Sequence, residues 1–347
     1  MAKKLFDFAI GNPPYNDDFG KSGDNGNFGN PVYHIFMDAA DDVADKVELI
    51  HPARFLFNAG YTPSHWNEKK LNDTHFKVLH YEEDATSIFS NTDIKGGIAI
   101  SYHDSSKEFG PIRVFTKYPA LNEILKKVAD KMEGISLSDI IYTQNRFNLL
   151  TLYRDYPEFE KIIGSKGKDR RFRNNIFAKI STFTEEPQSK EDIPTYGLSN
   201  LKRVWRFIKS EYVDQDHKNL YKWKALAARA NGSGKFGEPL STLVILKPGE
   251  AYTQTFIGFG AFDEQYEAEN VCLYLKSKFA RAMLGAIKVT QDNDREAWRM
   301  VPLQDFSNKS DIDWSKSIHE IDLQLYRKYG LSNEEIDFVE TNVKEMI

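Results

Sequence analysis

Residues 6–15 read "FDFAIGNPPY". An apolar run turns within one residue into Asn-Pro-Pro-Tyr. Proline has no amide hydrogen and is confined to the edges or ends of sheets. It also pushes the residue before it away from helix. Residues 4–11 are therefore expected to form a buried strand that stops at Gly11. Beyond Gly11 the chain makes a stiff turn, with two fixed φ angles holding Asn12 and Tyr15 in place.

The chain around this turn reads as strand, helix, strand, connection, strand, strand. "VYHIFMDAADDVAD" places Ile35, Phe36, Ala39, Ala40 and Val43 on one helical face. "KVELIHP", "FKVLHYEE" (76–83) and "GGIAISYHD" (96–104) are strands, the first ended by Pro52. "DDFGKSGDNGNFGNP" (17–31) is a Gly/Asn/Asp-rich loop expected to be mobile. The alternation predicts an α/β fold, half of a doubly wound, Rossmann-like sheet, over residues 1–110.

Beyond "SSKEFGP" the character changes, and residues 111–347 read as a mixed α+β domain. "YPALNEILKKVADKM" is amphipathic through Leu121, Ile124, Leu125 and Val128. "STLVILKPG" is a strand, and "DEQYEAENVCLYLKSKFARAML" reads as one long helix. "LSNEEIDF" opens a last helix with a capping box, Ser332 to Glu335.

The net charge of −5 conceals a segregated basic region: residues 161–235 hold 17 Lys/Arg against 8 Asp/Glu. Lys166, Lys168, Arg170, Arg171 and Arg173 crowd "SKGKDRRFRNN", and Lys202, Arg203, Arg206 and Lys209 follow in "LKRVWRFIKS". Trp205, Phe207, Tyr221 and Trp223 are interleaved with these charges. Phosphate contacts with aromatic stacking suit such a pattern, so double-stranded DNA is the expected partner. A solvated basic face is the plainer alternative. No apolar run is long enough to span a membrane, and the N-terminus lacks the pattern of a signal peptide. The single cysteine, Cys272, excludes an internal disulfide and fits a reducing, cytoplasmic setting. The eight histidines show no metal-ligand spacing.

At the carboxyl end of a parallel strand, where open α/β sheets bind ligands, the turn offers two acceptors: the Asn12 side-chain oxygen and the Pro13 carbonyl. Together they accept both hydrogens of an exocyclic amine, and Tyr15 offers a ring for a base to stack on. The N6 amine of adenine is a poor nucleophile because its lone pair is delocalised. Two acceptors draw it toward tetrahedral geometry, so the site works by positioning and electrostatics. In duplex DNA the base must first leave the stack.

On these residues the sequence resembles N6-adenine DNA methyltransferases of restriction–modification systems, of the Asn-Pro-Pro-Tyr, Eco57I-type class. The resemblance implies that Asn12, Pro13, Pro14 and Tyr15 are the catalytic motif, with Asp7 and Gly11 as flanking matches. "VYHIFMDAADDVADKVELIHPARFL" resembles the segment after that motif, and "IFSNTDIKGGIAISYHD" resembles later motifs of the same domain. By the same resemblance Tyr102 is a candidate second aromatic against the flipped base. Residues 115–300 resemble a target-recognition domain, closed by "YLKSKFARAML…VPLQDF".

Such enzymes use S-adenosyl-L-methionine, held by a Phe-x-Gly-x-Gly loop that precedes the catalytic motif. No such loop precedes the motif in this sequence. The expectation is that the cofactor-binding half sits on a second polypeptide or an upstream segment, and that the chain alone is inactive. A permuted order would instead use Phe256-x-Gly258-x-Gly260 in "TFIGFGAF". Two other functions compete: a DNA-specificity module without catalysis, and a nuclease built on Asp311, Asp313 and Lys316 in "DIDWSKS", for which no completing carboxylates are found upstream.

Overall fold

The computed structural model describes residues 4–17, 30–90, 94–241, 243–288 and 290–346. Most of the expected mobile loop, residues 18–29, lies outside the described residues. The chain divides into two compact units, Met1–Lys126 and Lys127–Ile347.

Unit 1 contains β1 (Phe6–Gly11), α1 (Tyr33–Val43), β2 (Ala44–Pro52), α2 (Ser64–Leu71), β3 (Phe76–Glu82) and β4 (Ile98–Asp104). The sheet order is β1-β2-β4-β3. β1 and β2 are parallel, with Phe8 opposite Lys46 and Gly11 opposite Leu49. α1 is the crossover that a parallel pair requires. β4 runs antiparallel to both β2 and β3. The sheet is thus mixed, which the expectation of a doubly wound half did not include. The β3–β4 connection carries only the short 3-10 turn Ala85–Ser87 among its described residues, so no helix there supports a parallel crossover.

Alternation along β2 sends Val47, Leu49 and His51 to the face that α1 covers, where they join Tyr33, Met37, Phe55, Trp66 and Phe76 in one core. Phe55 packs edge-on to Trp66 at 5.0 Å, a geometry favoured by the ring quadrupoles.

Unit 2 begins within α3 (Pro119–Met132). It continues through β5 (Ile141–Tyr142) and the short helical segments α4 (Leu149–Asp155), α5 (Phe159–Ile162), α6 (Gly164–Gly167) and α7 (Ile176–Lys179). β6 (Ile193–Ser199), β7 (Lys202–Ile208) and β10 (Ala251–Tyr252) form a three-stranded sheet, ordered β10-β6-β7. β8 (Trp223–Ala228), β9 (Val244–Leu246) and β11 (Phe256–Phe262) join β5 in a four-stranded sheet, ordered β5-β11-β8-β9. The expected long helix is two, α8 (Gln265–Lys276) and α9 (Lys278–Gly285). Ser277 breaks it: its hydroxyl accepts the Ala280 amide at 3.1 Å and caps the second helix. α10 (Ile318–Tyr329) and α11 (Asn333–Asn342) close the chain. The capping box of α11 forms as expected, Ser332 N donating to Glu335 Oε2 at 2.7 Å. Among the described residues no helix is long and apolar enough to cross a membrane.

Candidate functional site

β1 stops at Gly11, and the Asn-Pro-Pro-Tyr segment leaves the sheet at the carboxyl end of the parallel pair. It does not hang free. The Val32 amide donates to the Tyr15 carbonyl at 3.0 Å, and Asn16 bridges to Pro31. The Asp17 amide donates to the Asn30 carbonyl at 2.9 Å, and the Asn30 amide returns a bond to Asp17 Oδ1 at 2.7 Å. The turn is therefore clamped directly to the start of α1.

Within the clamp, Asn12 and Pro14 are exposed while Pro13 and Tyr15 are half-buried. Among the described residues the Pro13 carbonyl accepts no hydrogen bond, so this acceptor stands open. The Tyr15 hydroxyl is enclosed. Burial raises its pKa, and the neighbouring Asn12 side chain lowers it in part. Asn12 and Tyr15 thus share one small surface, and Asn12 is exposed.

One buried polar residue of unit 1 was missed by sequence reasoning. His51, near the end of β2, is fully buried. Its ring stacks on Tyr33 with centroids 6.0 Å apart and packs against Phe55 at 5.4 Å. Nε2 meets Ser101 Oγ at 2.8 Å, and Nδ1 meets the Pro52 carbonyl at 3.1 Å. Burial pushes its pKa down to about 4, against the Pro52 hydrogen bond. A neutral imidazole thus packs in the core between α1 and the sheet. The one signal in the sequence was a polar residue following Val47 and Leu49 on the apolar face of the strand.

Tyr102 is on β4, opposite Glu48 of β2, and Glu48 is opposite Ile10 of β1. Its hydroxyl donates to Asp104 at 3.0 Å, and its ring lies 6.0 Å from Phe109 and 5.6 Å from Lys77 Nζ. Asp104 ends β4, Lys77 is on β3 and Phe109 follows β4, so none of these partners belongs to the Asn12–Tyr15 turn.

In unit 2 the basic cluster separates into two kinds of residue. Arg170 pairs with Asp214 at 2.7 Å, and Arg171 pairs with Asp169 at 2.8 Å. Arg173 also binds Asp169. These arginines hold the buried Asp169 carboxyl down at about 2, the Arg171 hydrogen bond contributing most. Arg206 pairs with Glu185 at 2.7 Å, and Arg203 lies 5.6 Å from the Phe256 ring. Lys166, Lys168 and Lys202 are exposed, with no carboxylate at ion-pair distance among the described residues. Lys202 follows a hairpin turn, Asn200-Leu201, in which both residues have positive φ. Of the interleaved aromatics, Trp205 packs on Tyr196 at 4.9 Å, whereas Tyr221 is exposed.

The glycines of Phe256-x-Gly258-x-Gly260 lie inside β11, between β5 and β8, and not in a loop opening a helix. A Cβ on Gly258 would sit 2.5 Å from Tyr252 Oη, and one on Gly260 would meet the Phe262 ring. Close packing explains both. The other glycine-rich stretch, 231–239, joins two strands, and the Glu238 carboxylate accepts its Ser233 and Gly234 amides. Neither fits S-adenosyl-L-methionine, and the permuted order is overturned. Asp311 and Asp313 lie before α10 and bind Lys328 and the Ser315 segment, and no acidic or histidine cluster among the described residues could hold a metal.

Residues 1–89 match the family model of the Eco57I restriction-modification methylase. The Eco57I match takes in β1, the clamped Asn-Pro-Pro-Tyr turn, α1, β2, α2 and β3. It supports a restriction–modification methylase as the family of this region. β4 and unit 2 are outside the match. No curated protein matches the chain.

Proposed function

We propose that the chain carries the base-handling half of an N6-adenine DNA methyltransferase, with residues 111–347 as its target-recognition domain. The observation that carries this reading is the clamped turn at the carboxyl end of β1, inside the Eco57I match, with the Pro13 carbonyl open and Asn12 facing solvent. An adenine extruded from the duplex would present its amine to Asn12 Oδ1 and the Pro13 carbonyl. Tyr15 would stack on its ring. The clamp to the start of α1 fixes Tyr15 to Asp17, just after both acceptors, and the two prolines stiffen the backbone between, so this reading needs little reorganisation when the base arrives.

The methyl donor of this chemistry is S-adenosyl-L-methionine. Neither of the two glycine-rich stretches, 231–239 and 256–260, forms a loop for it, and this reading gives its site to another polypeptide or another segment. Double-stranded DNA is the proposed partner of unit 2, with Lys166, Lys168 and Lys202 as its most available phosphate contacts.

The test is expression with the neighbouring reading frames in a host lacking adenine methylation, followed by sequencing that detects N6-methyladenine. Methylated adenine at one recurring site is the expected outcome, and Asn12→Ala should erase it while DNA binding persists. Methylation that survives Asn12→Ala would sink the assignment of the turn. Absence of any methylation, with sequence-selective binding retained, would favour a specificity module, the second reading.

A further inference from the structure

β6 and β7 form a hairpin that pairs from Ile193 opposite Ile208 to Ser199 opposite Lys202. Only Asn200 and Leu201 join the strands, and both have positive φ, 49° and 61°. A two-residue loop with positive φ at both positions marks the type I′ turn, whose favoured sequence is Asn-Gly. Asparagine tolerates the left-handed region, because its short polar side chain bonds locally. Leucine does not, because its Cβ crowds the following carbonyl oxygen. Among the described residues seven non-glycine residues have positive φ, and Leu201 is the only apolar one. The turn by itself would take glycine where this chain has leucine.

Packing does not explain the leucine. Leu201 is 92 % exposed, more than any other large apolar side chain among the described residues. At that exposure it adds almost no burial to unit 2. Its surroundings are those of a nucleic-acid contact. Asn200, Lys202 and Arg203 are exposed beside it. Residues 193–209 hold four Lys/Arg and no Asp or Glu. Below the tip the hairpin is braced: Tyr196 packs on Trp205 at 4.9 Å and stacks on Phe256 at 5.0 Å. β10 pairs with β6 at Thr195 and Tyr196. Beyond Tyr196 the ladder is two-stranded among the described residues, so Leu198 to Arg203 form a ribbon with an apolar tip.

We propose that Leu201 is a wedge that enters between two base pairs of DNA bound by unit 2, while Lys202 meets a phosphate beside it. The inference rests on the proposed DNA partner. An apolar side chain inserted at a base step leaves water, unstacks the step and bends the duplex. The short turn already fixes the backbone that carries Leu201, so little freedom is lost on insertion. Backbone strain kept at an exposed tip is accounted for by a contact made outside the chain. A phosphate contact alone would not call for it, since glycine at 201 would leave Lys202 in place. Loosening the stack is also what base extrusion requires.

The experiment measures binding of the full chain to two mixed-sequence duplexes by fluorescence anisotropy, one intact and one with a central abasic site. The abasic step has already lost part of its stacking, so a wedge enters it more easily. The unsubstituted chain should bind the abasic duplex about tenfold more tightly than the intact one. Leu201→Gly should erase that preference, and Leu201→Met should keep it. Because glycine adopts positive φ freely, Leu201→Gly should hold or raise the melting temperature, which separates the wedge from a role in folding. Lys202→Ala should weaken both duplexes alike and lower the salt slope by about 1. A preference that survives Leu201→Gly overturns the proposal, as does equal binding of both duplexes by the unsubstituted chain. A fall in the melting temperature of Leu201→Gly overturns it too, by showing that the leucine serves the fold. Binding of neither duplex removes the DNA reading along with the wedge.

Discussion

β1, Phe-Asp-Phe-Ala-Ile-Gly, and β11, Phe-Ile-Gly-Phe-Gly-Ala-Phe, are both apolar strands with aromatics at every second or third position. β11 is buried from Phe256 through Gly260, while β1 exposes Phe6, Phe8 and Ile10. Apart from Asp7 in β1, composition does not separate them. β11 has β5 on one side and β8 on the other, whereas among the described residues β1 has a neighbour on one side only. Burial is decided by what the chain brings alongside a strand, and hydrophobicity states only what the strand can tolerate.

Substitution should break this symmetry most sharply. Phe259 of β11 is fully buried and packs edge-on to Trp298 at 4.9 Å. Phe259→Ala should cost about 3–5 kcal/mol in denaturant unfolding. Phe8→Ala in the free chain should cost no more than about 0.5 kcal/mol, since a residue already in water loses little. Equal losses would mean that β1 is covered in solution.

Acid should act next, and on unit 1. The folded pKa of His51 is about 4, below the ~6.5 of an unfolded chain. The unfolded state therefore takes up the proton first as pH falls. Stability from the neutral ring is complete above about pH 6.5 and is lost on descent toward pH 4, by on the order of 3 kcal/mol. His51→Gln should flatten the difference in that window, measured by urea titration at each pH. An unchanged slope would remove His51 as its source.

Gly258→Ala probes why β11 has glycine at all. Its Cβ would lie 2.5 Å from the hydroxyl of Tyr252, which is fully buried and donates to the Thr143 carbonyl at 2.9 Å. A loss of about 1–3 kcal/mol is expected from overpacking. A neutral result would reopen a ligand-side role for this glycine.

The smallest effect concerns the basic region. Lys166→Ala and Lys168→Ala should each lower the slope of log K against log salt by about 1 on mixed-sequence duplex DNA, at a stability cost below about 0.5 kcal/mol. Arg171→Ala should behave differently, because it takes a partner from buried Asp169. Its signature should be lost stability, read by thermal melting.

The strands and the first helix of unit 1 were legible because periodicity and proline punctuation are local, whereas α2 lay in an unassigned connection and β1, expected to be buried, is mostly exposed. Gly11 ends a strand, Pro52 ends the next, and Ser332 caps a helix, each for reasons within a few residues. The break at Ser277 was hidden, because the apolar pattern runs through it and only a side chain accepting the Ala280 amide reveals the cap. The turn residues of the candidate site were legible as residue types. Their clamp to Asn30 and Val32 was not, since it joins segments separated by a loop. The pairing of Arg171 and Arg173 with Asp169 was equally hidden. A run of basic letters does not show which charges are already neutralised.

The sequence by itself determined that a strand ends on Asn12, Pro13, Pro14 and Tyr15, because proline sterics act on the nearest residues. Only the tertiary structure decided that β4 runs against its neighbours, that His51 is buried neutral against Tyr33, and that among the described residues β1 pairs on one side. Strand direction, burial and pairing arise from contacts between residues far apart in the chain, which no local pattern encodes.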